Sequence, residues 1–509
     1  MAAVSMASLQ LQAPEFLASC LLLLLATILL FRQLLAPSSK PSLPRPRGLP
    51  LIGNLHQIGT LPHRSLAALA ARHAAPLMLL RLGSVPTLVV STADAARELF
   101  RDNDRALSGR PDLYAATKLS YGHKSISFAP DGAYWRAARR ACLSELLGAP
   151  RVRAFRDARE REAAALVAAV ARASDAGSPV NLSDMVAATS NGIVRRVAFG
   201  DHESLDAKAL IDETQALLCD FFVGDYVPWL RWLDALRGIR RRLERRFQQL
   251  DALYERVIDD HLNRSKGASE EEDDLVDVLL RLHGDPAHRS TFSSRSHIKG
   301  ILTDIFIAGS DTSAVTVQWA MTELLRNPAV LAKAQREVRS VVGGGRGMVR
   351  EADLPELHYL RLVIREAMRL HPAAPLLVPR ETTEPCTVHG VEVPAKTRVL
   401  INATAIHTDP GVWGPDAERF VPERHRGGGG EHRTPWHDGF ALVPFGVGRR
   451  SCPGVHFATA VVELLLANLL FCFDWRPPPG HDVVDVEEEN GLAVRKKNPL
   501  VLLAKRNTS

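Results

Sequence analysis

The chain has 509 residues, 46% hydrophobic and 24% charged, which excludes a disordered or fibrous polypeptide. A formal net charge of +6 over this length does not argue for nucleic acid, and no nucleic-acid partner is expected. The six cysteines, at 20, 142, 219, 386, 452 and 472, include no C-x-x-C pair, so neither a zinc ribbon nor a disulfide framework is expected.

From Phe16 to Phe31 the residues are uncharged and rich in Leu, Ala and Ile, and Gln33 to Ala36 extend the run past Arg32. A bilayer needs roughly 17 to 25 such residues, so the segment spans only if Arg32 snorkels to the boundary. The rival reading is a cleaved secretory signal. Against it, residues 1–14 carry no Lys or Arg and Glu15 is acidic, while Arg32, Lys40, Arg45 and Arg47 follow the apolar run. Residues 1–36 are therefore expected to be a single transmembrane helix at the endoplasmic reticulum, with the remainder cytosolic. Residues 37–55, with prolines at 37, 41, 44, 46 and 50, form a stiff hinge. No interior linker divides residues 56–509, which are expected to form one catalytic domain.

Short β-type stretches at Leu77–Leu82 and Thr87–Ser91 precede Ala-rich helical segments from about residue 93, and helices dominate thereafter. The fold class is mainly α with small β-sheets (α+β). Three aromatics between Asp225 and Trp232 adjoin an arginine-rich helix running through Arg246. They either enter lipid headgroups or form a core cluster. The glycine runs 343–347 and 427–430 are expected to be surface loops.

Ala308-Gly309-Ser310-Asp311-Thr312-Ser313 lies inside an apolar stretch from Ile298 to Asn327 that ends at Pro328. An acid and an alcohol are costly in a buried helix. Hydroxyls that take the carbonyl of the previous turn, with a glycine beside them, suit a local widening that admits dioxygen and water. Glu366 and Arg369 share a face of a helix running from Leu357 to His371 and stopped by Pro372. Last comes Pro444-Phe445-Gly446-Val447-Gly448-Arg449-Arg450-Ser451-Cys452-Pro453-Gly454. Its glycines allow a tight turn against a flat ligand, and Pro453 suits the first position of a helix. The Cys452 sulfur then faces a helix N-terminus, where a thiolate is stabilised and can serve as proximal ligand to haem iron. A plain buried cysteine is the alternative on that residue alone.

Phe445, Gly448, Arg450, Cys452 and Gly454 match the F-x-x-G-x-R-x-C-x-G signature of the cytochrome P450 superfamily, which the chain resembles. The order of hinge, W-x-x-x-R, A-G-x-D-T-S, E-x-x-R, P-E-R and cysteine loop fits over nearly the whole length. In detail it looks like the plant microsomal A-type class, through Leu49 to His56, Phe128-Ala129-Pro130 and Leu376 to Glu381. The resemblance implies a cytochrome P450 fold and haem b with Cys452 as axial ligand. Thr312 and Asp311 then handle dioxygen and protons, and Trp135, Arg139, Arg380, Phe445, Arg450 and Gly454 contact the cofactor. Glu366, Arg369 and Arg424 form a buried structural network. Substrate contacts are implied near 113–127, 221–223, 305–309, 374–378 and 491–493. The implied partners are NADPH-cytochrome P450 reductase, met through Arg136, Arg140 and Arg449, together with O2, membrane lipid and a small apolar substrate of terpenoid, indole, oxime or phenolic type. Two rivals differ in chemistry. A haem-thiolate isomerase or dehydratase typically lacks the acid–alcohol pair, and a non-catalytic haem sensor needs neither reductase nor Thr312.

Overall fold

The computed structural model describes residues 43–200, 208–264, 273–426, 433–434, 437–480 and 484–507. The expected anchor, the first part of the hinge and the loop 427–430 lie outside the described residues. Helices occur where apolar residues recur at helical spacing between clear stop signals. Those of nine residues or more are α1 (Pro62–Arg72), α2 (Ala93–Asn103), α3 (Ala133–Ala141), α4 (Arg156–Asp175), α5 (Leu182–Phe199), α6 (Lys208–Cys219), α7 (Ile239–Arg264), α8 (Leu275–Gly284), α9 (Arg295–Arg326), α10 (Pro328–Val342), α11 (His358–Leu370) and α12 (Val455–Cys472).

Two of these helices organise the rest. At 32 residues, α9 runs for roughly 48 Å and packs against α5, α11 and α12. It ends at Arg326 because Asn327 precedes a proline, and Pro328 then opens α10 at a position where its missing N–H costs nothing. Helix α12 is apolar all round. Among the described residues it is the helix long and apolar enough to cross a membrane, yet most of it is buried among α4, α9, α10 and α11, as expected for a core helix.

The β structure is small, as expected. Strands β1 (Leu77–Leu82) and β2 (Val85–Val90) form an antiparallel hairpin in register Leu77↔Val90. Strand β2 starts earlier than Thr87 because Gly83, at φ +64°, reverses the chain. With β3 (Val180–Asn181) belonging to a second sheet, the first is completed by β4 (Arg380–Glu381) and β5 (Arg398–Ile401) in the order β1-β2-β5-β4, where β2 and β5 are parallel. The second sheet joins β6 (Phe473–Arg476), β9 (Val501–Arg506) and β3. The hairpin of β7 (Glu488–Glu489) and β8 (Arg495–Lys496) stands apart. A core of Leu66, Leu69, Met78, Leu80, Val89 and Leu400 lies under the first sheet, while a far larger one unites the helices. The described residues within 44–388 and 392–507 form one compact unit, which contains the whole candidate site.

Candidate active site

The loop before α12 is held by its own backbone. The Cys452 N–H donates to the Phe445 carbonyl (2.8 Å) and that of Ser451 to Gly448 (3.0 Å), across a single 3-10 turn at Gly448–Arg450. Gly446 and Gly448 have φ of +75° and +62°. At Gly448 a side chain is excluded twice over, since a Cβ would lie 2.1 Å from Asp104 Oδ1. The helix starts two residues later than expected. Pro453 lies in the turn, Gly454 is the N-cap and α12 opens at Val455, so the Gly454 N–H points back at the Cys452 sulfur (3.4 Å). Burial pushes the thiol pKa up, while the Gly454 amide and the nearby Arg139 guanidinium oppose it. Cys452 lies deep among protein atoms yet keeps accessible surface, because that surface faces an internal cavity.

Four guanidinium groups reach the same cavity, from Arg110, Arg139, Arg380 and Arg450. Their donors meet backbone carbonyls. Arg110 donates to Ser127 (2.7 Å), Val378 and Pro379 (both 2.8 Å). Arg139 donates to Ser451 (2.7 Å), Arg380 to Val447 and Leu107, and Arg450 to Ser108 (2.8 Å) and Ala129 (2.6 Å). Among the described residues none of the four has a carboxylate partner in ion-pair range. Burial, with mutual repulsion, pushes Arg380 down to about 10, Arg450 to about 9, and Arg110 well below its ordinary value. Such a cluster calls for anions. A flat cofactor bearing two carboxylates and taking a thiolate ligand fits this set: sulfur on one side, arginine forks at the edge and apolar walls between.

On the other wall, α9 presents Asp304, Ala308 and Thr312, one stripe at i, i+4 and i+8. The expected widening is absent, for the helix runs unbroken from Arg295 to Arg326. The Thr312 and Ser310 hydroxyls donate to the carbonyls of Ala308 (2.8 Å) and Phe306 (2.9 Å), reinforcing the preceding turn. Gly309 lets α5 approach, since a Cβ would stand 3.2 Å from Val194 Cγ2. From outside, Gln215 on α6 donates to the Ile307 carbonyl (2.8 Å) and Ser190 on α5 to that of Ser310 (2.7 Å). Asp311 points away from the cavity and meets Arg495 of β8 at 3.5 Å.

The E-x-x-R pair is fully buried. Arg369 grips Glu366 with two bonds of 2.8 Å, and its other donors take the carbonyls of His407 and Ala417 (both 2.6 Å). Arg424 (2.9 Å), the Val421 N–H (2.9 Å) and His425 (2.8 Å) also bond to Glu366. Burial alone would raise the Glu366 carboxyl, but Arg369 and His425 outweigh it and hold it at about 2. His425 thus joins the network at the position after the arginine.

Cys452, Thr312, Phe445, Gly454, Arg139, Arg380 and Arg450 all border the cavity. Asp311 and Trp135 do not. The indole N–H of Trp135 donates to Ile126 (3.0 Å), and its ring lies 3.9 Å from the Arg450 guanidinium, orienting it from behind. Of the expected substrate segments, Ile126, Ser127, Ile305, Ala308, Gly309, Ala374, Leu377 and Val378 line the cavity. Residues 221–223 and 491–493 do not; Phe221 stacks on Tyr226 at the surface, and Ala373 replaces the C-terminal segment, whose Val494 bonds behind it. Two charged cavity residues escaped the sequence reading. Arg110 is a lone arginine before a proline, without a local signal. Asp304 had one, being the acid two turns before Thr312 on the same helical stripe. Its Oδ2 accepts from the N–H groups of Ile126 (2.6 Å) and Ser127 (3.0 Å).

Comparison with known proteins agrees with this geometry. A family model described as "Cytochrome P450" matches residues 43–503. Cytochrome P450 71A9 of Glycine max is 47% identical, covering 95% of this chain and 97% of that one. Strychnine-11-hydroxylase of Strychnos nux-vomica is 46% identical (91% and 91% covered), and tryptamine 5-hydroxylase of Oryza sativa subsp. japonica 42% (94% and 93%). A solved zebrafish cytochrome P450, crystallised with abiraterone, superposes with a TM-score of 0.72 at 24% identity, covering 88% of this chain and all of that one.

Proposed function

The chain belongs to the cytochrome P450 family, and we propose that within it the protein hydroxylates a small, largely apolar specialised metabolite bearing a nitrogenous ring system. It is a monooxygenase with haem held by a cysteine thiolate, drawing on O2 and a reductase. The observation that carries the reading is the cavity itself, with Cys452 on one wall, Thr312 on the other and carboxylate-free arginines at its edge. Bound between them, the haem supplies activation of dioxygen and insertion of one oxygen atom into a C–H bond. Cys452 would be its thiolate ligand; burial on balance raises the thiol pKa, the Gly454 N–H and Arg139 favour the ionised form against it, and a bound metal cation would favour that form further. Arg110, Arg139, Arg380 and Arg450 would hold its two carboxylates, and Phe445, which borders the cavity with Cys452, would pack against it. The Thr312 hydroxyl, fixed by the Ala308 carbonyl, positions a proton donor over the reacting centre, while Asp311, one residue back, exchanges protons with solvent past Arg495. Apolar side chains exclude bulk water from that path. The names of the strychnine and tryptamine hydroxylases support a nitrogenous ring substrate.

The protein works at the endoplasmic-reticulum membrane, with residues 1–36 as anchor. Supporting this, Leu51 (67% exposed), Trp229 (56%), Trp232 (55%) and Leu236 (75%) offer apolar side chains to the surroundings. The hinge end and the aromatic segment meet through the β1–β2 turn, where Gly83 donates to Ile52 and Ser84 to Tyr226 (2.8 Å). The decisive test is the ferrous–CO spectrum of the holoprotein. A red-shifted thiolate band is expected in the wild type and lost in Cys452→Ser, whereas Thr312→Ala keeps the band and consumes NADPH with product yield lowered about tenfold or more. A wild type without that band sinks the reading.

A further inference from the structure

Ala373 and Ala374 border the cavity with side chains no longer than a methyl group, so the position of their backbone sets the width of the space at this point. Pro372 and Pro375 flank the pair and stiffen it. Leu377, on the same stretch of wall, is held at φ +52°, a left-handed conformation that its own side chain disfavours. The shape of the segment is thus imposed by its supports. At the far end the Ala403 N–H donates to the Pro375 carbonyl (2.8 Å). At the near end the supports converge on Trp319 of α9, which is buried and does not border the cavity. Its indole N–H donates to the Val494 carbonyl (3.0 Å), and the Val494 N–H donates to the Ala373 carbonyl (2.8 Å). Its ring also stacks on His371, two residues before Ala373, with centroids 4.1 Å apart and planes 3° from parallel. Glu323, one turn further along α9, accepts from His371 Nε2 (2.8 Å) and fixes that ring in turn. Val315, one turn before Trp319, packs with Trp319, Ala493 and Ala373. One side chain therefore reaches Ala373 by two routes, along the chain through His371 and across it through Val494, and ties it to the helix that carries Thr312.

We propose that Trp319 is a positioning residue that sets the stand of the Ala373–Ala374 wall, and thereby how broad a ring system fits beside the reacting centre. This rests on the monooxygenase reading and adds to it a determinant of substrate breadth that no substrate touches. It also gives residues 491–493 a bearing on the substrate although they do not border the cavity, because Val494 carries their position to Ala373. Loss of the indole N–H leaves the buried Val494 carbonyl without this donor and loosens the hold of the hairpin on Ala373. A broad ligand can then push the wall back, whereas a narrow one gains nothing.

The test uses the haem-loaded full chain and two iron-ligating azoles of different breadth, 1-phenylimidazole and 1-(1-naphthyl)imidazole, with imidazole as the control for the iron itself. Binding is read from the Soret shift on nitrogen coordination. Trp319→Phe keeps an aromatic ring on His371 and removes the N–H. In this variant the ratio of naphthyl to phenyl affinity is expected to rise about fivefold or more over the wild type, the size of one lost buried hydrogen bond. Imidazole affinity stays within about twofold. A ratio that changes by less than about twofold, or that falls, overturns the proposal. It does so even where the melting temperature drops, since a residue that only packs behaves in that way. Should Trp319→Phe not retain haem, His371→Gln, which still donates to Glu323 but offers no ring to Trp319, is read by the same limits. Failure of the monooxygenase reading shows separately, as a wild type with no Soret shift on imidazole and no thiolate band in the CO spectrum.

Discussion

Glu366 illustrates how much one buried side chain is asked to do. It takes bonds from Arg369, Arg424, His425 and the Val421 amide, and so ties α11 to the segment that leads toward the cysteine loop. Its folded pKa of about 2 lies below the ordinary 4.5. Its contribution is therefore complete above about pH 4.5 and is lost as pH falls toward 2. Glu366→Gln leaves Arg369 as an uncompensated buried cation. We expect a destabilisation of about 3–5 kcal/mol and a flatter acid limb in urea midpoints measured between pH 5 and 3. At the cysteine loop two glycines make different predictions. Gly446→Ala carries the left-handed backbone cost alone, about 1–2 kcal/mol, because its surroundings leave room for a Cβ. Gly448→Ala adds a collision with Asp104. A larger drop in melting temperature and in haem content per protein is expected for Gly448→Ala, and the opposite order would show that the approach of Asp104 is unimportant.

At the scale of elements, the contact that shapes the substrate space is between α9 and the segment 124–127. Asp304 holds the amides of Ile126 and Ser127, while Gly300, one turn earlier on α9, leaves room for the segment, since a Cβ there would lie 2.7 Å from the Lys124 carbonyl. Gly300→Ala should lift this segment and cost about 1–3 kcal/mol, with weaker substrate-induced spectral shifts and an unchanged CO band. Unchanged substrate affinity would detach the segment from the cavity. Much of this level was legible in the sequence. The bounds of α9 and α11 follow from the apolar stretch before Pro328 and the periodic run before Pro372, and both fall within three residues of expectation. The start of α12 was misread because proline at a first helical position is only one of its options. Here the Gly454 amide is needed for the sulfur, so the turn takes Pro453 and the helix waits until Val455. The expected opening of α9 failed for a similar reason: hydroxyl bonds to carbonyls that the backbone ladder already uses add to the turn without breaking it.

For the whole molecule, the exposed arginines beside the cysteine loop give the expected reductase face its physical content. Arg136 and Arg449 are partly neutralised by Asp131 (2.9 Å) and Asp104 (3.4 Å), whereas exposed Arg140 has no carboxylate in ion-pair range among the described residues. Arg140→Glu should slow reductase-supported turnover about tenfold at low ionic strength, with the gap narrowing as salt rises. Oxidation supported by a peroxide in place of the reductase should not change, and an equal loss in both assays would point to damage rather than docking. The sequence by itself determined the class of chemistry, because a cysteine between fixed glycines and an arginine, and the acid–alcohol pair before it, are local patterns whose spacing is read directly along the chain. Only the tertiary structure decided what surrounds that chemistry. Arg110 reaches the cavity through carbonyls at 127, 378 and 379, Asp311 is turned toward Arg495, Trp135 stands behind Arg450, and Asp304 becomes the one acid of the substrate wall. Each of these depends on segments from tens to hundreds of residues apart meeting in space, and no periodicity within one element records which partner it will meet.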